Sequence, residues 1–178
     1  MTCHEIYTAI NNRQIEALMF HDLMSDFYDF LGLQGFKCWH KYQYKAEAME
    51  HKKTKHFYMS MHNKLLSESP QSDFNIIPDS WFGYTRMDVT PQVRKQALET
   101  SMDKYRNWEE ETCSMYESYA KELLDNGNIS DFAWVQRLIE DVEAELKEIY
   151  KYILKLRYAN YDSTYVLDMQ KHLHKKYK

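Results

Sequence analysis

Five glutamates lie on or beside the apolar faces of the predicted helices, where a carboxylate needs a cation or a hydrogen-bond partner. At about 100° per residue, Glu16 falls about 40° from Phe20, inside the apolar stripe of the first helix. On the third helix, core positions recur at spacings of three and four residues, and Glu109 occupies one of these positions. The set, which falls near the middle of its helices, consists of Glu16, Glu47, Glu50, Glu109 and Glu145.

The second and fourth predicted helices each place acidic residues one turn apart. Glu50 lies within about 20° of Phe57 on a stripe that we assign to Trp39, Ala46, Phe57 and Met61. Glu47 precedes Glu50 by one turn and points the same way, at the edge of that stripe. On the fourth helix, Glu145 lies at the edge of the apolar stripe and Asp141 comes one turn before it.

Clustered carboxylates repel one another and resist ionisation, and a bound cation reverses that cost. Oxygen ligands suit iron and manganese, so the five glutamates acting together predict a two-metal site. The alternative is that long helices rich in Glu place some of them at core margins by chance. Their carboxylates would then reach solvent or pair with Lys and Arg. The residues alone leave both interpretations open.

Other polar and aromatic candidates carry less chemistry. Four histidines of the second helix do not share one face, so we expect exposed or edge positions and assign them no role: His40, His51, His56 and His62. Tyr105, Tyr116 and Tyr119 near Glu109 are interpreted as core packing rather than redox-active phenols. The sequence has no Gly-rich phosphate loop, Ser nucleophile motif or Rossmann fingerprint.

The elements that must position these residues are long helices. Glycine, proline and capping residues mark where each helix begins and ends. The predicted helices are about His4 to Leu31, Phe36 to about Leu66, Pro91 after the cap Thr90 to about Asp125, residues after the cap Ser130 to about Tyr158, and a shorter fifth helix from Asp162 or Ser163 to Lys175.

The connections between the helices predict the topology. Short links make helices 1 and 2, and helices 3 and 4, antiparallel hairpins, whereas residues 67–89 are long enough to cross the whole bundle. The fold class is therefore all-α, a four-helix bundle with a short C-terminal fifth helix. Trp81, Phe82 and Tyr84 in the crossover are expected to pack on the bundle or on a second subunit, which makes a homodimer plausible.

Composition narrows the functional classes. A chain of 178 residues fits one domain, 1–178, and its net charge of −4 gives no reason to expect a nucleic-acid partner. Three well-separated cysteines without a CxxC pair indicate neither a disulfide framework nor a Cys-based zinc site. No signal peptide or membrane span is evident, so we expect a soluble cytoplasmic protein without a membrane partner.

The chain resembles the ferritin-like superfamily along essentially its whole length, in helix order and in the stretch DFAWVQRLIEDVEAELKEI. It is also similar to small ferritin-like proteins of Gram-positive bacteria and their phages. The resemblance gives Glu16 the place of the first-helix ligand, Glu47 the bridging carboxylate, Glu109 the third-helix ligand and Glu145 the acidic residue of the fourth helix. The family's second helix usually carries ExxH, whereas Glu50 stands here at the histidine position.

Two functions follow from the resemblance and its departure. The first is a non-haem diiron or manganese carboxylate protein that oxidises Fe(II) or activates oxygen, and that self-associates as a dimer or larger oligomer. The second is a metal-free helical module, structural or phage-associated, that presents its surface to a partner. The stripe carboxylates favour the first function, and the missing ExxH favours the second.

Overall fold

The computed structural model describes residues 1–78, 81 and 83–178, and the bundle is built from five α-helices. No strand occurs among the described residues, which confirms the all-α prediction. A short 3₁₀ helix, Arg86–Asp88, precedes the third α-helix. The helices are α1 (Cys3–Phe30), α2 (Gln34–His62), α3 (Pro91–Asp125), α4 (Ile129–Tyr158) and α5 (Ser163–Tyr177).

Local capping chemistry accounts for most of the helix ends. Thr2 and Glu5 form a capping box at the start of α1, and Thr90 caps α3 just before Pro91. The predicted end of α2 near Leu66 is wrong, because Asn63 adopts a left-handed conformation (φ 52°) that stops the helix at His62. The predicted cap Ser130 is also wrong: α4 restarts directly after Asn128 and begins at Ile129.

The helices form two antiparallel hairpins, α1 with α2 and α3 with α4, and α5 packs against α2. α1 also contacts α3, with Tyr28 hydrogen-bonded to Ser101 near the end of α1 and Arg13 to Thr112 near its middle. The predicted crossover is confirmed, since the chain between α2 and α3 runs along α1. It is held there by hydrogen bonds with three side chains of α1: Asn11 donates, Glu16 accepts, and Asn12 does both.

Gly35 lets α5 approach the start of α2 closely. A Cβ at this position would lie 2.0 Å from the backbone carbonyl oxygen of Gln170. Only a residue without a side chain fits between the two backbones. The close approach of the two backbones at this point therefore depends on a glycine.

Two apolar clusters fill the bundle, one toward each end. The larger contains Phe20, Met24 and Trp39 and continues onto α5, and the smaller contains Ile6 and Val135. Polar side chains that the helices bury, such as Gln14 and Glu109 among others, lie along the helices between these clusters. The candidate chemistry therefore occupies the middle of the bundle.

The predicted apolar stripe of α2 is wrong at two of its four positions, since Trp39 is buried and Phe57 is half-buried as expected. Ala46 and Met61 are exposed, whereas the face that α2 buries is partly polar. This face lies inward because its polar side chains meet polar groups of the other helices in the middle of the bundle, so hydropathy found its direction at Trp39 and Phe57 but not its polar members. The buried residues are Gly35, Phe36, Trp39, His40, Gln43, Thr54 and Tyr58.

The crossover aromatics pack on the bundle where the structure describes them. Trp81 contacts Phe27, with ring centroids 5.6 Å apart, and Tyr84 stacks on Trp81 while remaining 39% exposed. Phe82 lies outside the described residues. In the described part of the chain, no helix combines the length and the apolar character needed to cross a bilayer.

Candidate metal centre

Three helices bring one histidine and two glutamates together in the middle of the bundle. Glu109 on α3 is buried, and Glu145 on α4 is half-buried. A ring nitrogen of His21 on α1 and one carboxylate oxygen from each glutamate all lie within 4.8 Å of one another. An imidazole and two carboxylates at this separation are a ligand set that suits iron, manganese or zinc.

His21 is held by a second histidine. Its Nδ1 lies 2.9 Å from Nδ1 of His40, and Nε2 of His21 has no hydrogen-bond partner among the described residues. Burial lowers the pKa of His21 to about 3, and burial together with His21 lowers the pKa of His40 well below its usual value. Both rings are therefore neutral near pH 7, the form in which histidine binds metals. The expectation that His40 is exposed and without a role is wrong.

Glu47 and Glu50 bring two more carboxylates from α2. Both are half-buried, and both line a cleft of about 440 Å³ between α2 and α4, together with Glu145 and Asp141. Burial, followed by Glu50 and Glu145, raises the pKa of Glu47 well above its usual value. Burial and Asp141 raise the pKa of Glu50 to about 7. The cleft gives solvent a route to the carboxylates.

Neutral polar side chains orient these acids. The Tyr105 hydroxyl donates a hydrogen bond to Oε1 of Glu145, and Gln43 donates to Tyr105 over 3.3 Å. Gln14 on α1, which is fully buried, donates to Glu50 over 3.3 Å and to Thr54 over 3.1 Å. The carboxylates therefore lie in a hydrogen-bonded frame.

Glu16 does not join the other four glutamates. Its Oε1 accepts a hydrogen bond from the backbone N–H of Gln71 over 2.9 Å, and its other oxygen lies 3.9 Å from Arg13. Glu16 therefore holds the crossover on α1. Gln14, two residues earlier, faces the centre instead. Two residues correspond to about 200° around the helix, so Gln14 and Glu16 point to nearly opposite sides of α1.

Arg13 brings one compensating charge to the centre. Its guanidinium lies 3.3 Å from the centre of the Trp108 ring and donates to the Thr112 hydroxyl, and its charge acts on Glu109. Burial, Glu145 and Glu47 nevertheless raise the pKa of Glu109 well above its usual value, with Arg13 opposing them. In the described part of the chain, no basic side chain forms an ion pair with Glu47, Glu50, Glu109 or Glu145.

The electrostatics of the centre fit a bound cation. Burial also raises the pKa of Glu145, against the hydrogen bonds from Tyr105 and Gln43. Without a cation, the acids must keep protons or repel one another, and a divalent ion would relieve both costs. The unpartnered Nε2 of His21 is a further buried group with unused ligand capacity.

Sequence reasoning identified four of the glutamates and missed His21 and Gln14. A signal for His21 was present, since it lies between Ala17 and Met24 at spacings of four and three on the apolar face of α1. The remaining histidines of α2 differ in environment. His51 is half-buried and contacts Asn11, His56 is exposed, and His62 contacts Asp131.

Only the comparison with solved structures returned matches, and these matches agree on the fold. No family model matches the sequence, and no curated protein is similar to it at a significant level. Among solved structures, an open-pore ferritin from the hyperthermophilic archaeon Archaeoglobus fulgidus has a TM-score of 0.75 at 18% identity. The match covers 97% of this chain and 95% of that chain.

Two related structures give the same result. A closed form of the Archaeoglobus fulgidus ferritin, engineered by site-directed mutagenesis, has a TM-score of 0.75 at 17% identity, with 98% of this chain and 96% of that chain covered. A humanized archaeal ferritin has a TM-score of 0.76 at 16% identity, with 98% and 97% covered. The chain therefore has the ferritin-like fold, with two hairpins, a long crossover and a fifth helix, as its sequence predicted.

Proposed function

We propose that this chain is a non-haem diiron protein of ferritin-like type that oxidises Fe(II), with manganese as the other metal that its ligands suit. The observation that carries the proposal is the convergence of His21, Glu109 and Glu145, with the carboxylates of Glu47 and Glu50 lining the adjoining cleft. The ferritin-like fold of the chain supports the same proposal.

Each proposed ligand has a distinct part. Glu109, Glu145 and His21 would hold the metal, and His40 fixes the His21 ring through its Nδ1 contact. Glu47 and Glu50, whose raised pKa values favour protonation without a metal, would lose those protons on binding a cation. Bound Fe(II) supplies the redox chemistry, and dioxygen accepts the electrons that Fe(II) loses.

The ligand set differs from the family pattern in a way that His21 compensates. The second helix carries Glu50 where the family has histidine, and the imidazole is provided by α1 instead. Gln14, which is neutral, faces the centre from α1 and donates to Glu50. We therefore propose a centre of four carboxylates and one imidazole, in which Glu16 takes no part.

The metal-free interaction module is the second candidate. It is favoured by the guanidinium of Arg13 beside Glu109, and by the hydrogen bonds from Gln14 and Tyr105 that satisfy two of the acids without a metal. Protonated glutamates in such a frame would be stable without a cation. The two candidates differ in metal content, which is directly measurable.

Elemental analysis of protein purified without a chelator separates the two candidates. The diiron proposal expects stoichiometric iron or manganese, and the interaction module expects neither. Anaerobic thermal melts then test the ligands. Fe(II) at 100-fold excess over its dissociation constant should stabilise the wild-type protein by about 2.7 kcal/mol.

Glu47→Ala is the variant for this test. It should lose the Fe(II)-induced shift, while its metal-free form becomes more stable because repulsion among the acids is relieved. Glu140→Gln, which changes an exposed glutamate of α4, is the matched control and should behave as wild type. Identical Fe(II)-induced shifts in wild type and Glu47→Ala would show that Glu47 is an ordinary helix-edge acid.

We further propose that the protein is a homo-oligomer and that it works in the cytoplasm. Self-association is supported by the ferritin-like fold, whereas Trp81 follows the other alternative given above and packs on its own bundle. A reducing compartment is supported by the three cysteines, all of which are free. Sedimentation at micromolar concentration tests the first proposal, and a monomer would contradict it.

A further inference from the structure

A second group of metal-binding side chains lies at one end of the bundle, away from the glutamate centre. Cys3 is in the first turn of α1, His62 is the last residue of α2, and Asp131 is in the first turn of α4. The thiol sulfur, a ring nitrogen and a carboxylate oxygen all lie within 4.8 Å of one another. Three separate helix ends thus bring three different ligand types to one point.

The distances within the group are close to those of a tetrahedral zinc site. Sγ of Cys3 lies 3.7 Å from Nε2 of His62, and the same Nε2 lies 2.8 Å from Oδ1 of Asp131. Zn–S bonds of about 2.3 Å and Zn–N bonds of about 2.0–2.1 Å place sulfur and nitrogen about 3.6 Å apart in such a site. The carboxylate and the imidazole would need to separate by about 0.6 Å.

A buried hydroxyl without a partner faces the same point. Tyr7 is fully buried, and its hydroxyl has no hydrogen-bond partner among the described residues. Its ring packs beside His62, with centroids 6.1 Å apart. A buried polar group is normally hydrogen-bonded, and this hydroxyl is placed to donate to the Asp131 carboxylate or to a water bound at the site.

The imidazole is held in place before any metal binds. Tyr58 stacks on His62, with ring centroids 4.7 Å apart, and its hydroxyl lies 2.7 Å from Nδ1 of His4. Asp131 is buried, so its carboxylate has little access to water. Fixed orientation of the ligands by outer contacts is a property of metal sites.

A nucleophilic Cys–His–Asp triad fits this geometry less well. In such a triad the histidine uses one ring nitrogen for the nucleophile and the other for the acid, whereas one and the same Nε2 of His62 faces both Cys3 and Asp131.

We propose that Cys3, His62 and Asp131 form a second metal site for a borderline divalent cation, best suited to Zn²⁺, that joins the ends of α1, α2 and α4. Thiolate and imidazole select zinc over the harder cations, and three protein ligands leave a fourth position open beside Tyr7. The site does not depend on the glutamate centre, which has no thiol among its ligands.

Cobalt(II), a spectroscopic substitute for Zn²⁺, tests the proposal because a cysteine thiolate bound to it gives a charge-transfer absorption in the near ultraviolet. Metal-free wild-type protein titrated with Co(II) should develop this band, and Cys3→Ser should abolish it. Cys38→Ser and Cys113→Ser are the matched controls and should keep the band. Glu109→Gln should keep it too, which separates this site from the glutamate centre.

A second measurement covers the case in which Cys3→Ser does not fold. Zn²⁺ affinity can be measured by competition with a chromophoric chelator, and it should fall by about 100-fold or more in Asp131→Asn. Loss of an outer contact to a metal ligand typically lowers affinity by about 10- to 100-fold, and loss of the ligand itself should exceed that range. The proposal fails if wild type gives no thiolate band, if the band persists in Cys3→Ser, or if Asp131→Asn binds Zn²⁺ as tightly as wild type. In each case, Asp131 and His62 are only a structural pair.

Discussion

Replacing Glu50 with Gln should stabilise the metal-free protein at pH 8 and leave it nearly unchanged at pH 4.5. Burial and Asp141 raise the pKa of Glu50 from 4.5 to about 7. Between these values the folded protein keeps a proton that the unfolded chain releases, so the free energy of unfolding falls as pH rises through the interval. Above pH 7 the ionised carboxylate imposes its full cost on the folded state.

The size of the effect follows from the same pKa. A move from 4.5 to about 7 corresponds to about 3 kcal/mol, at about 1.36 kcal/mol per pH unit. Glutamine removes the charge, and its amide oxygen can still accept from Gln14. We therefore expect the free energy of unfolding of Glu50→Gln to exceed that of wild type by about 3 kcal/mol at pH 8.

Buried histidines act in the opposite direction. The pKa of His21 is lowered to about 3 and that of His40 is also lowered, so the folded state cannot take up protons that the unfolded chain binds below about pH 6.5. Their contribution to stability is therefore lost as pH falls. Both histidines are present in the variant as well as in wild type, so they cancel in the difference between the two proteins.

Urea unfolding of chelator-treated wild type and Glu50→Gln, followed by circular dichroism at several pH values from 4.5 to 8, measures this difference. Glu140→Gln provides the control for replacing an exposed glutamate and should show no pH-dependent difference from wild type. The reasoning is refuted if Glu50→Gln is less stable than wild type at pH 8, or if the difference between them does not change with pH.

Three further substitutions test the crossover contact, the close approach of α2 and α5, and the proposed histidine ligand. Glu16→Ala removes the acceptor that holds the crossover backbone, so we expect faster proteolysis of the crossover with unchanged metal binding; equal cleavage would contradict this role. Gly35→Ala places a Cβ against the backbone of Gln170 and should cost about 1–3 kcal/mol in thermal melts, whereas Gly83→Ala, with open space around its Cβ, should cost little. His21→Gln should weaken Fe(II) binding in anaerobic calorimetry while the helical signal is kept, and unchanged affinity would exclude His21 as a ligand.

Local chemistry in the sequence predicted most of the helix ends and, through the length of one connection, the topology. Thr90 followed by Pro91 marked the start of α3, and the left-handed Gly32 and Gly127 end the helices where they were expected to end. The long connection between α2 and α3 was sufficient to predict a crossover. Such signals act over a few residues, and for this reason they are readable without a structure.

The acidic character of the centre was also readable from the sequence. Glu109 breaks a regular apolar spacing, and Glu47 and Glu50 repeat at one helical turn, so their positions on the helix faces follow from periodicity. Whether they bind metal stays a prediction. The repulsion that raises their pKa values depends on the distance between helices, which periodicity does not supply.

Tertiary structure alone decided which polar residues meet. Glu16 and Gln14 are two positions apart on α1, and only the path of the crossover shows that Glu16 binds its backbone while Gln14 faces the acids. His21 and His40 are buried against each other although neither is apolar. Rotation of each helix about its axis is set by all of its neighbours at once, so a buried polar face such as that of α2 has no signature in hydropathy.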